Sequence, residues 1–570
     1  MAADLFSIYN NWGHYDELGD TVPLTEALVI EELDTLERWQ RQHDHRFDYF
    51  MIDCLWFEPT LGYRHFRKAD WPHGPDRVFA RIRALGMIPG LWFSTSGGRL
   101  NVPEWAPSRC ANNWSYSLAD GPYARALEDG FLHAAEQWGV RFFKLDFAHL
   151  ALAAKGVTRA PQDTLRLATL RLKEIIRRVR GRYPDAQFIT HCGYARPNRQ
   201  CLIGAPDPLE LDTGWLDVLR AAFAGDPHCT DIPQTSLERN VDLFQDRQVW
   251  KMHQSGFPLH RIEDHGAVMG PTNTAMYRGR KGFRRTHLGQ LARGGRRDFL
   301  YGDPTVLTDD DVRGMKAARR LFFDAFACGL WTRFLGPGEP GVQPWHGYLT
   351  GGGDSGLLYI VNSSLTRRVI QTPLLNLFQG RVLFHDGRRP ALQIQPEHLS
   401  IELGPEQVAL IGFGPYADAR WDLPPECDTP PPTETRLLEL DCQPTAGGLS
   451  AVLSQDALRD GERLLAIGEA LDTDPAGPLH ALPFTFGKPD PRHPDHTTPH
   501  AHRQVTVRCL VKEKELAPER QIPDVPVWGG ISWVARIFDP RGACRISLEQ
   551  SLDPPRRLRL RALAIQDEIR

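Results

Sequence analysis

The sequence lacks the long apolar runs and the excess of one charge that would assign it to several large classes of protein. No stretch of about 20 apolar residues occurs in its 570 residues, so no segment is expected to span a bilayer as a helix. Lys and Arg number 67 against 71 Asp and Glu, and the formal net charge is −4. Binding to nucleic acid or to an anionic membrane surface needs a basic excess, so neither is expected as a partner.

Two further features are missing, namely a regular cysteine framework and a signal peptide. The ten cysteines are scattered and include no CxxC motif, which is typical of free thiols in a reducing compartment. The first residues, MAADLFSIYNNWGHYDE, have neither the cationic start nor the apolar run of an intact signal peptide. We therefore expect a cytoplasmic protein, or a periplasmic one if a leader has been removed.

The alternation of short apolar runs with helical patterns up to about residue 333 predicts parallel βα units. Helical periodicity with start and stop residues occurs at 21–40, 75–85 and 163–180. Continuous apolar runs, typical of strands buried on both faces, occur at 47–55, 87–93, 140–147 and 187–192. The sequence thus predicts the α/β class, with a (β/α)₈ barrel of the TIM type over 1–333.

After residue 333 the pattern changes to short β runs separated by turn residues. We predict an antiparallel β-sandwich at 334–417, a proline-rich linker at 418–436, and a second β-rich domain of unknown role at 437–570. The predicted architecture is therefore a barrel followed by C-terminal all-β domains.

Polar residues stand at or just beyond the ends of four predicted strands, namely Asp53, Ser94, Asp146 and His191. In a (β/α)₈ barrel the active site lies at the carboxyl ends of the strands, so these side chains should converge. Each of them alone could equally be a helix cap or a satisfied buried group. Four successive strands with the same feature favour a site.

The segment FFKLDF contains the strongest local signal for chemistry. Lys144 and Asp146 are two residues apart on a predicted strand, so their side chains share a face. A neighbouring cation favours the ionised carboxylate, and an ionised carboxylate at the mouth of a barrel can act as the nucleophile of a glycosidase. A structural Lys–Asp ion pair would give the same local pattern.

A glycosidase needs a second carboxyl group that protonates the leaving oxygen. Asp231, in HCTDIPQTSLERN, is the first candidate, because it precedes a predicted helix and Arg239 follows at short range. Asp226 is the alternative, since DVLRAAFAGD could be a strand that ends in a carboxylate. Either residue could instead be the N-cap of the helix.

Several aromatic and polar residues near predicted strand ends would suit a sugar pocket. A pyranose is bound by an aromatic face together with side chains that hydrogen-bond its hydroxyls. The candidate substrate-binding residues are Trp12, Asp53, Trp56, Trp92, Lys144, His191, Arg239 and His265. No metal triad, P-loop or dinucleotide fingerprint accompanies them, so no metal or cofactor is expected.

Seven short motifs follow one another along roughly residues 6–330. They are NNW at 10–12, YFMIDCLWF at 49–57, GMIPGLWF at 86–93, FFKLDF at 142–147, THCG at 190–193, CTD at 229–231 with Arg239 downstream, and FRRTHLGQLARGG at 283–295. In this order they resemble the motifs of the α-galactosidase clan of glycoside hydrolases, families 36 and 27, and the resemblance to family 36 is the stronger.

The resemblance implies a retaining α-glycosidase that acts on oligosaccharides or glycosides without a cofactor. Asp146 would be the nucleophile and Asp231 the general acid/base, and a covalent glycosyl-enzyme would form and then be hydrolysed with retention of configuration. The simplest activity implied is that of an α-galactosidase. A homo-oligomer is compatible with this assignment.

Two departures from the family pattern leave the sugar open. Cys54 stands where the family has the second of two adjacent aspartates, and the glycine-rich stretch after the fifth strand is altered to CGYARPNR. A thiol cannot replace the hydrogen bonds of a carboxylate. An α-glucosidase-like or arabinopyranoside-like enzyme, an α-transglycosylating enzyme on the same barrel, and a non-catalytic carbohydrate-binding protein are the alternatives.

Overall fold

The computed structural model of the chain describes residues 5–15, 23–190, 212–225, 229–269, 280–373, 379–395, 398–426, 428, 430–471, 504–523, 532–552 and 555–566. The chain divides into two compact units. Unit 1 comprises Met1–Asp226, Lys251–Thr272 and Gly294–Val312. Unit 2 comprises Pro227–Trp250, Asn273–Arg293 and Arg313–Arg570.

Unit 1 is built on a nine-stranded parallel sheet, with one short hairpin beside it. Its strands in chain order, the hairpin being β3 and β4, are β1 Phe6–Asn10, β2 Tyr49–Ile52, β3 Phe57–Glu58, β4 Gly62–Phe66, β5 Ile88–Ser94, β6 Phe142–Asp146, β7 Gln187–Thr190, β8 Ala221–Phe223, β9 Ile262–Glu263, β10 Ala267–Met269 and β11 Arg297–Gly302. The strand order in the sheet is β10-β11-β1-β2-β5-β6-β7-β8-β9.

The order of the sheet is that of a barrel with one interrupted strand. β1 pairs in parallel with both β2 and β11, so the first and last strands are neighbours. β9 and β10, at the two ends of the strand order, are separated by only three residues, 264–266. Within this turn the Gly266 N–H donates to Asp264 Oδ1 (3.0 Å), which breaks the strand locally. The two pieces together occupy one strand position, and the predicted (β/α)₈ architecture is confirmed.

The seven α-helices of the described residues follow the strands in the βα alternation that the sequence predicts. They are α1 Glu26–Gln42, α2 Asp76–Ala84, α3 Tyr123–Gln137, α4 Pro161–Arg182, α5 Leu237–Gln254, α6 Phe283–Ala292 and α7 Asp309–Ala327. α1 begins where Thr25 Oγ1 accepts a hydrogen bond from the Leu28 N–H (3.1 Å), and its buried face carries Val29, Leu33 and Leu36. None of these helices is long and apolar enough to cross a membrane.

Two glycines allow the turn after β1 to approach the end of β11. A Cβ on Gly302, whose φ is +93°, would lie 1.5 Å from the carbonyl oxygen of Met269. A Cβ on Gly13 would lie 2.7 Å from the Cα of Gly302. Only glycine fits both positions, because any side chain there would overlap backbone atoms. The close approach is part of the closure between the first and last strands.

Unit 2 contains a pair of antiparallel sheets between residues 331 and 413. Their strands are β12 Trp331–Leu335, β13 Trp345–Gly352, β14 Ser355–Asn362, β15 Arg368–Pro373, β16 Gly380–His385, β17 Ala391–Ile394, β18 His398–Leu403 and β19 Val408–Phe413. The sheet orders are β12-β13-β14-β19-β16 and β15-β18-β17. Buried residues of both sheets, among them Leu358, Ile401 and Ile411, belong to one apolar core.

A second pair of antiparallel sheets follows in unit 2. Their strands are β20 Glu434–Leu438, β21 Gln443–Thr445, β22 Gly448–Leu453, β23 Arg463–Leu471, β24 Val505–Val511, β25 Lys514–Leu516, β26 Arg520–Ile522, β27 Trp533–Phe538, β28 Cys544–Gln550 and β29 Arg557–Gln566. The sheet orders are β20-β29-β23-β27-β26 and β21-β22-β28-β24-β25. The predicted all-β region after the barrel is confirmed, while the boundaries at 333, 417 and 436 stay predictions.

Candidate active site

The carboxyl edge of the unit 1 sheet, where its parallel strands end, gathers six of the ten predicted site residues. Alignment of β5 with β6 pairs Trp92 with Lys144 and Ser94 with Asp146. The residues brought together are Trp12, Asp53, Trp92, Lys144, Asp146 and His265. Of the four polar strand-end residues predicted to converge, Asp53, Ser94 and Asp146 lie at this edge, and the role of the edge as a site stays a prediction.

A buried ion pair between Lys144 and Asp53 lies at the centre of this edge. Lys144 Nζ is 2.9 Å from Asp53 Oδ2, and both side chains are only 2 % exposed. The same carboxylate oxygen accepts a hydrogen bond from Asn10 Nδ2 (2.7 Å). We call Asn10, Asp53 and Lys144 the edge cluster. Burial disfavours the ammonium, but the charge of Asp53, with contributions from Tyr301 and Asp146, outweighs it and raises the pKa of Lys144.

Aromatic rings surround the ammonium group of the edge cluster. Lys144 Nζ lies 5.2 Å from the ring centroids of both Trp12 and Tyr301, and 5.9 Å from that of Phe223. The His265 ring stacks on Tyr301 with centroids 4.0 Å apart, and it lies 5.1 Å from Trp12. The cation thus faces aromatic surfaces, an arrangement that stabilises a desolvated charge.

Asp146, the last residue of β6, is oriented by two hydrogen-bond donors. Trp92 Nε1 donates to its Oδ2 (3.2 Å), and the Phe147 N–H donates to its Oδ1 (2.7 Å). Phe147 has a φ of +46°, so the chain turns sharply directly after the carboxylate. Trp92 is buried and Asp146 is half-buried, which leaves part of the carboxylate accessible. Asp146 has the fixed and partly open position that a reacting carboxylate requires.

A buried carboxyl group on α1 is connected to the edge cluster by hydrogen bonds. Glu32 accepts hydrogen bonds from the Tyr9 hydroxyl (2.8 Å) and from Asn11 Nδ2 (3.2 Å). Asn11 Oδ1 in turn accepts from the backbone N–H of Asp53 (2.9 Å). Burial raises the pKa of Glu32 to about 8, although the bonds from Tyr9 and Asn11 oppose the shift. Asn11 therefore links an ionisable group to the residue that pairs with Lys144.

Cys54, the departure noted in the sequence, is also buried at this edge. Its Sγ lies 3.7 Å from the hydroxyl of Tyr15, which donates to the Cys54 carbonyl oxygen (3.3 Å). Burial, followed by the charge of Asp53, raises the pKa of the thiol, so it is neutral at pH 7. The position next to Asp53 thus carries a neutral group with a phenol beside it.

Trp56 is not brought into the edge cluster. Its Nε1 donates to the Trp92 carbonyl oxygen (2.6 Å), and its ring packs among Phe66, Phe93 and Trp138. The side chain is fully buried. These are the contacts of a packing residue that supports β5, and the substrate-binding role of Trp56 stays a prediction.

The other predicted residues lie in unit 2 or outside the described residues. Asp231 Oδ1 is 2.6 Å from Arg247 Nη1, and Arg247 also pairs with Glu339 (2.7 Å). Arg239 is buried and pairs with Asp386 (2.7 Å) within unit 2. His191 and Asp226 lie outside the described residues. The roles of these four predicted residues stay predictions.

Several residues of the site were not predicted from the sequence. Asn10 is the last residue of β1, and Tyr301 is the last but one of β11. Both would have been predicted from their positions at strand ends if these two strands had been identified. Phe147 and Glu32 carry no signal in the sequence, because one is defined by its backbone conformation and the other by a contact across the fold. Among the described residues, no group of three or more His, Cys, Asp and Glu side chains could hold a metal ion.

No protein-family model matches the sequence, and no curated protein is significantly similar to it. Among solved structures, the galactosidase domain of alpha-galactosidase-sucrose kinase, AgaSK, is 14% identical with a TM-score of 0.51, over 72% of this chain and 54% of that chain. The GH36 alpha-galactosidase AgaB from Geobacillus stearothermophilus is 14% identical with a TM-score of 0.49, over 72% of this chain and 55% of that chain.

A third match is alpha-galactosidase I from Mortierella vinacea, which is 11% identical with a TM-score of 0.47, over 72% of this chain and 97% of that chain. This chain spans about half the length of the AgaSK structure, which is the one of the three that superposes with a TM-score above 0.5. At this level of identity the comparison concerns the fold. The chain is therefore similar in fold to the galactosidase domain of AgaSK, with a (β/α)₈ barrel followed by β-sheets.

Proposed function

We propose that the protein is a retaining α-glycoside hydrolase of the α-galactosidase clan, acting on the non-reducing end of an α-linked sugar. The observation that carries this proposal is the position of Asp146 at the carboxyl edge of the barrel sheet, oriented by Trp92 and close to the buried Lys144–Asp53 pair. The similarity in fold and the order of the sequence motifs support the same function.

Asp146 is proposed as the nucleophile. Its carboxylate attacks the anomeric carbon, a bond forms between that carbon and an Asp146 oxygen, and the bond to the leaving oxygen breaks. Trp92 Nε1 orients the carboxylate, so the attacking oxygen needs little rearrangement. The ammonium of Lys144 provides a fixed positive charge near the reacting groups.

Asp231 is proposed as the general acid/base on the sequence resemblance, with Asp226 as the alternative. The acid gives its proton to the leaving oxygen as the glycosyl-enzyme forms, and it then takes a proton from the water that hydrolyses this intermediate. Two inversions at the anomeric carbon restore the α configuration. Arg247, which contacts Asp231, would hold that side chain in place.

The edge cluster is proposed to bind the hydroxyls of the non-reducing sugar, and the rings of Trp12 and His265 to pack against its apolar face. Asp53 can accept hydrogen bonds from hydroxyl groups, while Lys144 and Asn10 hold it in place. His191 is retained as a further binding residue on the sequence pattern.

An α-galactoside is the first candidate substrate and an α-glucoside the second. The buried neutral thiol of Cys54 next to Asp53 favours keeping the second candidate, because the sugar cannot form charge-assisted hydrogen bonds with this position. Transfer of the glycosyl unit to another sugar would use the same intermediate.

The test is a panel of aryl α-glycosides, with the anomeric configuration of the first product followed by NMR. We expect cleavage of an α-galactoside or an α-glucoside and an α-configured first product. A β-configured first product would contradict the double displacement. Calorimetric binding of an oligosaccharide with no cleavage of any panel member would replace the proposal with that of a binding protein.

A further inference from the structure

A short β-hairpin at residues 109–116 is held in a defined conformation between β5 and α3. Arg109 and Tyr116 form an antiparallel bridge, and the Cys110 N–H donates to the Ser115 carbonyl oxygen (2.9 Å). Asn113, whose φ is +55°, closes the turn by donating its N–H to the Cys110 carbonyl oxygen (3.0 Å). The tip, residues 111–113, is exposed to solvent. We call this segment the rim hairpin.

The rim hairpin is fastened to the segments that follow β5 and β6. The Tyr116 N–H donates to the Ser96 carbonyl oxygen (2.8 Å), just beyond β5. The Lys155 N–H donates to the Arg109 carbonyl oxygen (2.7 Å), and Cys110 forms a bridge with Ala154 beyond β6. These are the two strands that carry Trp92 and Asp146, so the hairpin is positioned by the same elements as the proposed nucleophile.

Trp114 projects from the rim hairpin onto the residues that directly follow Asp146. Its ring makes edge contacts with Phe147 (centroids 5.4 Å apart) and with His149 (4.9 Å). Phe147 in turn contacts Trp92 (5.4 Å), whose Nε1 donates to Asp146. The Trp114 side chain is half-buried, so part of its surface remains exposed. A continuous aromatic surface thus leads from the carboxylate to the exposed rim.

The His149 ring in this surface is uncharged at neutral pH. Its backbone N–H is held by Ser96 Oγ (2.7 Å), and burial lowers the pKa of the imidazole to about 4, against the opposing effect of Asp146. Trp114, Phe147 and His149 therefore form a neutral aromatic surface. Such a surface can pack against the apolar face of a sugar ring.

We propose that Trp114 stacks on the sugar ring of the leaving group and that the rim hairpin determines which leaving groups are accepted. The inference rests on the proposed function. The edge cluster is almost fully buried, whereas Trp114 is partly exposed at the rim. Trp114 is connected to Asp146 through Phe147 and Trp92. The non-reducing sugar enters deepest in an exo-acting enzyme, so the rest of the substrate meets the rim.

The experiment compares two substrates that share the glycosyl unit and differ in the leaving group, which is fluoride in one and a sugar ring in the other. For a galactosidase these are α-galactosyl fluoride and melibiose, and for a glucosidase α-glucosyl fluoride and isomaltose. We expect Trp114→Ala to lower kcat/KM for the disaccharide about tenfold, mainly through KM, and to leave that for the fluoride within about twofold of wild type. Trp114→Phe keeps a ring and should lose less.

Trp331→Ala is the matched control, because Trp331 is 46% exposed and lies in β12 of unit 2. It should leave both substrates unaffected. If Trp114→Ala lowers kcat/KM equally for the fluoride and the disaccharide, or for neither, the inference is overturned. Hydrolysis of the fluoride by the wild type would still uphold the proposed function in that case. Failure of the wild type to cleave either pair of substrates would overturn the proposed function and this inference with it.

Discussion

Two clusters of buried charge, one in each unit, differ in the groups that surround their cations. In the edge cluster of unit 1, the ammonium of Lys144 has the carboxylate of Asp53 on one side and aromatic rings on the others. In unit 2, Arg239 pairs with Asp386 (2.7 Å), and Arg285 pairs with Asp242 (2.8 Å) and approaches Asp386 (3.8 Å). We call these four residues of unit 2 the arginine cluster.

Burial of charge does not by itself distinguish the two clusters, because both are buried. The guanidinium groups of the arginine cluster meet carboxylates that are buried with them, and these carboxylates raise the pKa of Arg285 against the effect of burial. The edge cluster differs because it lies at the carboxyl ends of parallel strands and borders the half-buried Asp146. Its position in the fold, together with the aromatic rings, distinguishes it as a candidate site.

The largest effect is expected from Asp146→Asn, which removes the proposed nucleophile and nearly preserves its shape. We expect kcat/KM to fall at least about 10⁴-fold while the thermal unfolding midpoint stays close to that of wild type. Asp422→Asn is the matched control, because Asp422 forms an exposed ion pair with Arg381. Near-normal hydrolysis by Asp146→Asn would show that this carboxylate is not the nucleophile.

Lys144→Met and Arg285→Met test whether the two clusters differ in function as well as in position. Each variant removes a cation that pairs with a buried carboxylate, so each should lower the free energy of unfolding by about 3–5 kcal/mol, measured by denaturant titration. Only Lys144→Met should also lower kcat/KM per folded molecule. Unchanged activity in folded Lys144→Met would show that the edge cluster has a structural role only.

The titration of Glu32, which is linked to the edge cluster through Asn11, should make the free energy of unfolding depend on pH. Its pKa of about 8 lies above the ordinary value of 4.5. Between these two pH values the folded state therefore retains a proton that the unfolded chain releases. The stabilisation is complete below about pH 4.5 and is lost as the pH rises through 8.

The corresponding variant is Glu32→Gln, which cannot ionise. Between pH 5 and pH 9 the wild type should lose on the order of 4 kcal/mol through this group, and the variant should lack that loss. Parallel curves for the two proteins would mean that Glu32 does not titrate as proposed.

The smallest effect is expected in the apolar core of the last sheets. Ile546 is fully buried on β28 among aliphatic side chains. Ile546→Val should lower the free energy of unfolding by about 1 kcal/mol, and kcat/KM per folded molecule should not change. A loss of catalysis there would show that this core influences the site, which nothing in its composition predicts.

The sequence predicted the parts of the fold that depend on local pattern. The runs around β2, β5, β6 and β7 are apolar and bounded by turns, so the strands were located within a few residues. The interrupted strand of β9 and β10 was missed, since its two pieces have two and three residues and show no periodicity. The β3–β4 hairpin was also missed.

The site was predicted where strand ends determine it and not where long-range contacts do. The spacing of Lys144 and Asp146 indicated a shared face, but the ion-pair partner of Lys144 is Asp53, which is 91 residues away in the sequence. Arg239 follows Asp231 closely in the sequence, yet its guanidinium pairs with Asp386. Such partners depend on tertiary packing, which local spacing does not encode.

The contact among Gly13, Met269 and Gly302 has a consequence for engineering the protein. A single added methyl group at 302 would overlap the Met269 carbonyl oxygen, so this junction tolerates no side chain. Libraries that aim to alter leaving-group preference can vary Ala111 at the exposed tip, because Asn112 and Asn113 hold the turn. Codons 13 and 302 should be left untouched in any such library.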